Sequence, residues 1–162
     1  MLLSLNLASN DITTFGVEKL KQALLTTDLK ELDVSGNPLG NQGIECVGQY
    51  VGHSSCVLER LNVGECKFQS QGAITLFGYA RKNPYLKFLT MDKNDIRSRN
   101  SSYLYQAIYQ GLVYLSMNRC NIGDDGGQHI AEGVSRSKSL KTLLLQYNSL
   151  SDSAASCFAE AL

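Results

Sequence analysis

Residues 140–150 read Leu-Lys-Thr-Leu-Leu-Leu-Gln-Tyr-Asn-Ser-Leu, and this spacing of apolar residues and asparagine returns along the whole chain. The general pattern is Leu-x-x-Leu-x-Leu-x-x-Asn/Cys-x-Leu, in which valine, methionine, isoleucine or phenylalanine can replace a leucine. Its Asn/Cys position falls at six places: Asn10, Asn37, Cys66, Asn94, Cys120 and Asn148. Neighbouring members lie 27, 29, 28, 26 and 28 residues apart, so the 162 residues are built from one repeated unit.

The apolar residues of each unit predict a short strand followed by a helix. Side chains alternate along a strand, so the two apolar residues of Leu-x-Leu enter the core while their neighbours face solvent. Beyond the Asn/Cys position the apolar spacing becomes helical, as at Val17, Leu20 and Leu24. A period of this length is typical of a leucine-rich repeat solenoid. We therefore expect an α/β arc of six repeats, with parallel β-strands on the concave face and α-helices on the convex face.

The repeats predict a single domain over residues 1–162, with units starting near residues 2, 29, 58, 86, 112 and 140. Neither outer unit carries the polar cap that the end of a solenoid normally needs. This favours a segment of a longer array; the alternative is that a partner or another copy covers the open ends.

The six Asn/Cys residues are predicted to form a structural ladder. An asparagine amide at this position can bond backbone groups of the turn that would otherwise be buried without partners. A thiol is a weaker donor, but it fits the same apolar slot.

Composition points to protein partners in a reducing compartment. Fifteen basic and fifteen acidic residues give no net charge, which favours neither nucleic acid nor an anionic membrane. Cys66 and Cys120 lie two repeats apart, about 10 Å at the usual strand spacing, which exceeds disulfide reach. We expect reduced thiols and a cytoplasmic protein, in which the glycosylation acceptor Asn100-Ser101-Ser102 would be idle.

No motif predicts catalysis, a metal or a cofactor. His53 and His129 lie in different repeats and have no Cys or carboxylate cluster at metal-ligand spacing. The glycine-rich segment 36–43 lacks the Gly-Lys-Ser/Thr ending of a phosphate loop. Asp124 and Asp125 are best explained by the favourable field at a helix N-terminus.

The best-preserved stretch includes Leu-Val-Tyr-Leu-Ser-Met-Asn-Arg-Cys-Asn-Ile-Gly-Asp-Asp-Gly at residues 112–126. With the 26–29 residue period and the mixture of Asn and Cys, it resembles the ribonuclease-inhibitor-like class of leucine-rich repeats over essentially the whole chain. This resemblance implies a non-catalytic scaffold or sensor segment that binds protein. The alternative is a regulator of an enzyme, either a hydrolase inhibitor or a small-GTPase activator. Arg97 and Arg99 would be the candidate residues of the activator.

The partner-binding surface is predicted on the concave face of repeats four to six. Exposed aromatic residues beside arginine are typical of interaction hot spots. The candidates are Phe88, Asp92, Lys93, Tyr114, Asn118, Arg119, Leu144 and Tyr147. Phe88, Tyr114 and Tyr147 would be anchors, with Asp92 and Arg119 setting orientation. The alternative is that these side chains only pack against one another across neighbouring strands.

Repeat four is the most irregular unit. Residues 97–102 replace its usual glycine, and Tyr103, Tyr105 and Tyr109 follow. Such irregularity indicates either a second local partner site or sequence drift, and the sequence does not separate the two.

Overall fold

The computed structural model describes residues 1–97, 102–108 and 111–162, without the side chains of Leu104, Gln106 and Ala107. Strands and helices alternate through these residues. The strands are β1 (Ser4–Asn6), β2 (Glu31–Asp33), β3 (Arg60–Asn62), β4 (Phe88–Thr90), β5 (Tyr114–Ser116) and β6 (Thr142–Leu144). The helices are α1 (Thr14–Leu24), α2 (Gly40–Val51), α3 (Ser70–Ala80), α4 (Ser102–Ile108), α5 (Gly123–Arg136) and α6 (Asp152–Ala161).

The strands form one parallel sheet in the order of the sequence, β1 to β6. Each strand pairs with the next so that its central leucine lies opposite the central leucine of its neighbour, as Leu61 does with Leu89. Equivalent positions of successive repeats therefore stack in straight rows across the sheet. The predicted α/β leucine-rich repeat solenoid is confirmed.

The core lies between the sheet and the helices. Leu61, Leu89 and Leu115 in the middle of the sheet are almost completely buried. Their counterparts Leu5 and Leu143 in the outer repeats are only partly buried, because they have a neighbouring repeat on one side only. Full burial of such a side chain stabilises the fold by roughly 1.5–3 kcal/mol.

Buried asparagine amides join three of the turns, those of Asn37, Asn94 and Asn148, to the turn before them. The Asn94 amide nitrogen donates to the Val63 carbonyl of the preceding repeat at 2.9 Å and to Met91 of its own at 2.8 Å. Its oxygen accepts from the Cys66 backbone N–H at 3.0 Å. Asn37 repeats this arrangement, with its oxygen 3.0 Å from the backbone nitrogen of Ile12. These bonds satisfy backbone groups that have no strand or helix partner.

Two cysteines occupy the ladder slot as thiol donors. The Sγ of Cys66 lies 3.4 Å from the carbonyl oxygen of Val34, and that of Cys120 lies 3.3 Å from Met91. Burial raises the pKa of each thiol to about 12, so both stay protonated near neutral pH. All five cysteines are free thiols.

Among the described residues, no helix has the length and apolar character needed to cross a bilayer.

Replacing Asn94 by alanine leaves buried carbonyls of two repeats without a donor. We expect Asn94→Ala to lower the free energy of unfolding by about 2–4 kcal/mol, measured by urea denaturation. Asn10→Ala is the matched control, because Asn10 holds the same slot but is exposed and bonds only carbonyls of its own turn. This control should lower the free energy of unfolding by less than about 1 kcal/mol. Equal losses for the two variants would contradict the structural role of the bonds between repeats.

Candidate functional site

The first residues of β1 to β5 form a connected row of side chains across the concave face. Ser4 Oγ donates to Glu31 at 3.2 Å, and the second carboxylate oxygen of Glu31 lies 3.2 Å from Arg60 Nε. The Arg60 guanidinium carbon is 3.6 Å from the centre of the Phe88 ring. The centres of the Phe88 and Tyr114 rings are 6.2 Å apart, with their planes tilted by 35°. We call these five residues the strand row.

A pocket of about 450 Å³ opens above the strand row. Its walls include the aromatic rings of Phe88 and Tyr114 on one side and the carboxylates of Glu31 and Asp33 on the other. Small polar side chains of β1 lie at the acidic end, so the concavity continues over the first repeat. The pocket therefore extends from repeat one to repeat five.

Asp92 and Asn118 are tied together inside the concave face. One carboxylate oxygen of Asp92 accepts from Ser116 Oγ at 2.6 Å and from the Asn118 backbone N–H at 2.8 Å. The Asn118 side-chain oxygen in turn accepts from the Gln146 backbone N–H at 2.8 Å. Both side chains thus hold the turns of repeats four to six in position.

The residue before each ladder position has a left-handed backbone in all six repeats. These residues are Ser9, Gly36, Glu65, Lys93, Arg119 and Tyr147, with φ between 54° and 68°. Only one of them is glycine, the residue that adopts this conformation without steric penalty. We call the last four of them the turn rim.

The turn rim contains a second set of paired side chains. Lys93 forms an ion pair with Glu65 at 2.7 Å. The Arg119 guanidinium carbon lies 4.4 Å from the centre of the Tyr147 ring, and Tyr147 is 74% exposed. Exposed tyrosine and arginine on an ordered turn can contact a partner without a large ordering cost.

Seven of the eight candidates fall into three groups in the structure, and Leu144 belongs to none of them. Phe88 and Tyr114 lie together in the pocket, whereas Asp92 and Asn118 bond one another. Lys93, Arg119 and Tyr147 lie on the turn rim, and none of them lines the pocket, nor does the partly buried Leu144. The expected interaction across neighbouring strands is also present, because Phe88 contacts both Arg60 and Tyr114.

Three charged residues that line the pocket lie outside the predicted binding set: Glu31, Asp33 and Arg60. Glu31 and Asp33 belong to repeat two and Arg60 to repeat three, whereas the predicted set is taken from repeats four to six. The signal that could have found Arg60 is the repeat alignment, since it occupies the strand position directly beside Phe88.

The described residues contain no group of three or more metal-ligating side chains. Asp124 accepts from the backbone N–H and hydroxyl of Ser151, at 2.7 and 2.6 Å, and these bonds lower the pKa of its carboxyl group. The His53 ring bonds Ser55 at 2.8 Å. Each of these side chains already has a local structural partner.

The irregular segment of repeat four is only partly described. Arg97 pairs with Asp95 at 2.7 Å, while Ser98, Arg99, Asn100, Ser101 and Tyr109 lie outside the described residues. Tyr103 donates to the Ile96 carbonyl at 3.2 Å, and burial raises the pKa of its hydroxyl to about 12. Tyr103 is thus packed into the fold, whereas the Tyr105 hydroxyl accepts from Arg136 at 3.4 Å near the surface.

The Leucine Rich repeat family model matches residues 1–21, 27–48, 54–77 and 112–131, more than half of the chain. The chain belongs to this family. Human NACHT, LRR and PYD domains-containing protein 13 is 30% identical over 81% of this chain and 13% of its own length. Mouse ribonuclease inhibitor is 27% identical over 92% of this chain and 34% of its own length. The chain therefore spans a small part of each relative, and the ribonuclease-inhibitor-like resemblance is confirmed.

Two solved structures share the fold. The leiomodin-1 structure described as actin-binding site 2 has a TM-score of 0.60 and 13% identity, covering 98% of this chain and 78% of that one. The C-terminal domain of Caenorhabditis elegans tropomodulin has a TM-score of 0.62 and 12% identity, with coverage of 99% and 82%. At such identities the likeness shows the fold alone.

The stacking of Arg60 on Phe88 can be measured in the free protein. We expect a double-mutant cycle with Arg60→Ala and Phe88→Ala to give a coupling free energy of about 0.5–1 kcal/mol in urea unfolding. Arg60→Ala paired with Tyr147→Ala is the control, because Tyr147 pairs with Arg119 instead. Coupling near zero for Arg60 and Phe88 would show that the strand row is not connected at this point.

Proposed function

We propose that the chain is a non-catalytic protein-binding module, a scaffold or sensor segment that receives its partner on the concave face. The observation that carries this proposal is the pairing of aromatic and arginine side chains on a rigid parallel sheet. Arg60 covers Phe88 in the pocket, and Arg119 covers Tyr147 on the turn rim. Tyrosine, phenylalanine and arginine bury large areas on binding and are enriched at interface centres.

The sheet prepares these side chains for contact. The strand positions are held by backbone bonds on both sides, and Phe88 is restrained further by its two side-chain neighbours. A partner therefore meets side chains whose conformational entropy is already reduced. Such preorganisation increases affinity because less order has to be imposed at the moment of binding.

The candidates divide into contact and positioning roles in this proposal. Phe88 and Tyr114 form an aromatic floor, and Leu144 adds apolar surface on β6. Lys93, Arg119 and Tyr147 contact the partner from the turn rim. Asp92 and Asn118 position the turns that present Lys93 and Arg119, since their hydrogen bonds lie within the concave face.

The relatives' names support binding of a protein. One relative is named for inhibition of ribonuclease, and one structural neighbour is described as an actin-binding site. Both use the fold that this chain has. The free, largely buried thiols support a reducing compartment, the cytoplasm, as the place of action.

Regulation of an enzyme is the second candidate function, favoured by the similarity to ribonuclease inhibitor. A hydrolase inhibitor would lower the turnover of its target in proportion to the amount of this chain added. A small-GTPase activator would instead raise GTP hydrolysis, with loss on mutation of Arg97 or Arg99. Arg97 supports this activator role less well, because its guanidinium is paired with Asp95.

Affinity capture from native cell extract tests the concave face directly. We expect the triple variant Phe88→Ala, Tyr114→Ala and Tyr147→Ala to lose a protein that the unaltered chain retains, because the variant removes the aromatic contact area. The control variant carries Phe15→Ala and Tyr85→Ala, two exposed aromatics that lie outside the strand row and the turn rim. A partner held equally by all three baits would contradict binding through the concave aromatics.

A further inference from the structure

The acidic end of the concave pocket contains a carboxylate, Asp33, that can still form an ion pair with a cation. Asp33 accepts from the Ser35 backbone N–H at 2.9 Å, from the Ser35 hydroxyl at 2.6 Å, and from the Asn62 amide at 3.0 Å. All three donors are neutral. Among the residues described by the structure, no lysine, arginine or histidine forms an ion pair with Asp33.

The guanidinium of the pocket is already neutralised. Glu31 pairs with Arg60, whose planar group is also stacked on Phe88. The lining contains two carboxylates and this one guanidinium. The negative charge of Asp33 is therefore not balanced by a positive charge in the pocket lining. Glu31 and Asp33 would repel an anion that enters the pocket, whereas they would attract a cation.

The apolar part of the pocket lies at a fixed distance from this charge. Asp33 is on β2 and the aromatic rings are on β4 and β5, two and three strands away. At about 4.8 Å per strand, and with an offset of two residues or about 7 Å along the strand direction, the separation is roughly 12–16 Å. An extended peptide covers about 13 Å over four residues and places residues i and i+4 on the same side.

We propose that the pocket binds a basic–apolar segment of a protein partner, in which a lysine or arginine pairs with Asp33 and Glu31. An apolar side chain about four residues away then packs on Phe88 and Tyr114. This assignment rests on the proposed protein-binding function and extends the contact surface to repeats one to three. Asp33, Glu31 and Arg60 become residues that select the charge of the partner.

The test uses a defined heptapeptide, acetylated and amidated, with lysine second, leucine sixth and glycine or serine elsewhere. Its counterpart carries glutamate in place of lysine. Binding to the isotopically labelled chain is followed by NMR through the side-chain amides of Asn6 and Asn62, which line the pocket. We expect the lysine peptide to bind at least about fivefold more tightly than the glutamate peptide.

Matched charge variants locate the effect. Asp33→Asn is expected to weaken the lysine peptide about fivefold, and Glu31→Gln is the second variant because Asp33 also holds the Ser35 turn. Glu59→Gln removes the same charge outside the pocket, where Glu59 pairs with Lys30, and should leave affinity unchanged.

Two kinds of failure are distinguishable. Tighter binding of the glutamate peptide, no binding of either peptide, or an equal loss with Glu59→Gln would overturn the basic–apolar assignment alone. The proposed protein-binding function would still stand if a captured partner were lost with the aromatic triple variant. It would fall only if that capture were unaffected.

Discussion

The structure depends on the hydrogen bonds that the buried ladder residues, three asparagine amides and two cysteine thiols, make between consecutive turns. Each amide donates to a carbonyl of the preceding repeat and accepts from its backbone N–H, as Asn94 does with Val63 and Cys66. The turn cannot shift without breaking both bonds in a region that excludes water. Six strands therefore keep one register, and equivalent side chains of successive repeats become neighbours in space.

The rows that result give the concave face its chemistry. The strand row changes from a hydroxyl and a carboxylate in repeats one and two to a guanidinium in repeat three and aromatic rings in repeats four and five. Each side chain contacts the next, so a change at Arg60 acts on both Glu31 and Phe88. A partner that uses the pocket meets this connected row and the separate pairs of the turn rim, in which Arg119 covers Tyr147.

The period of the leucines and asparagines was sufficient to predict the strands and the helices, because these follow from local side-chain alternation. The left-handed backbone before each ladder residue was not predicted. Glycine would signal it, but Glu65, Lys93, Arg119 and Tyr147 adopt it although they carry a Cβ, so residue type gave no sign of the turn.

The candidate site was predicted less completely than the fold. The concave positions of Phe88 and Tyr114 follow from alternation, but the part played by Arg60 depends on contacts between strands about 28 residues apart, which a scan of single repeats does not compare. The residue type of Asp92 does not show whether its carboxylate binds a partner or stabilises the fold. Its bonds to Ser116 and Asn118, together with its position outside the pocket lining, show that it holds the turns.

Hydroxyl-radical footprinting of the chain, free and bound to its captured partner, tests the central claim that the concave face binds protein. Aromatic side chains react with the radical when exposed, so each ring reports directly on its own surface. The account predicts that oxidation of Phe88, Tyr114 and Tyr147 falls on binding, while Phe15 and Tyr85 react as in the free chain. Protection of Phe15 or Tyr85 with unchanged oxidation of the three concave rings would contradict it.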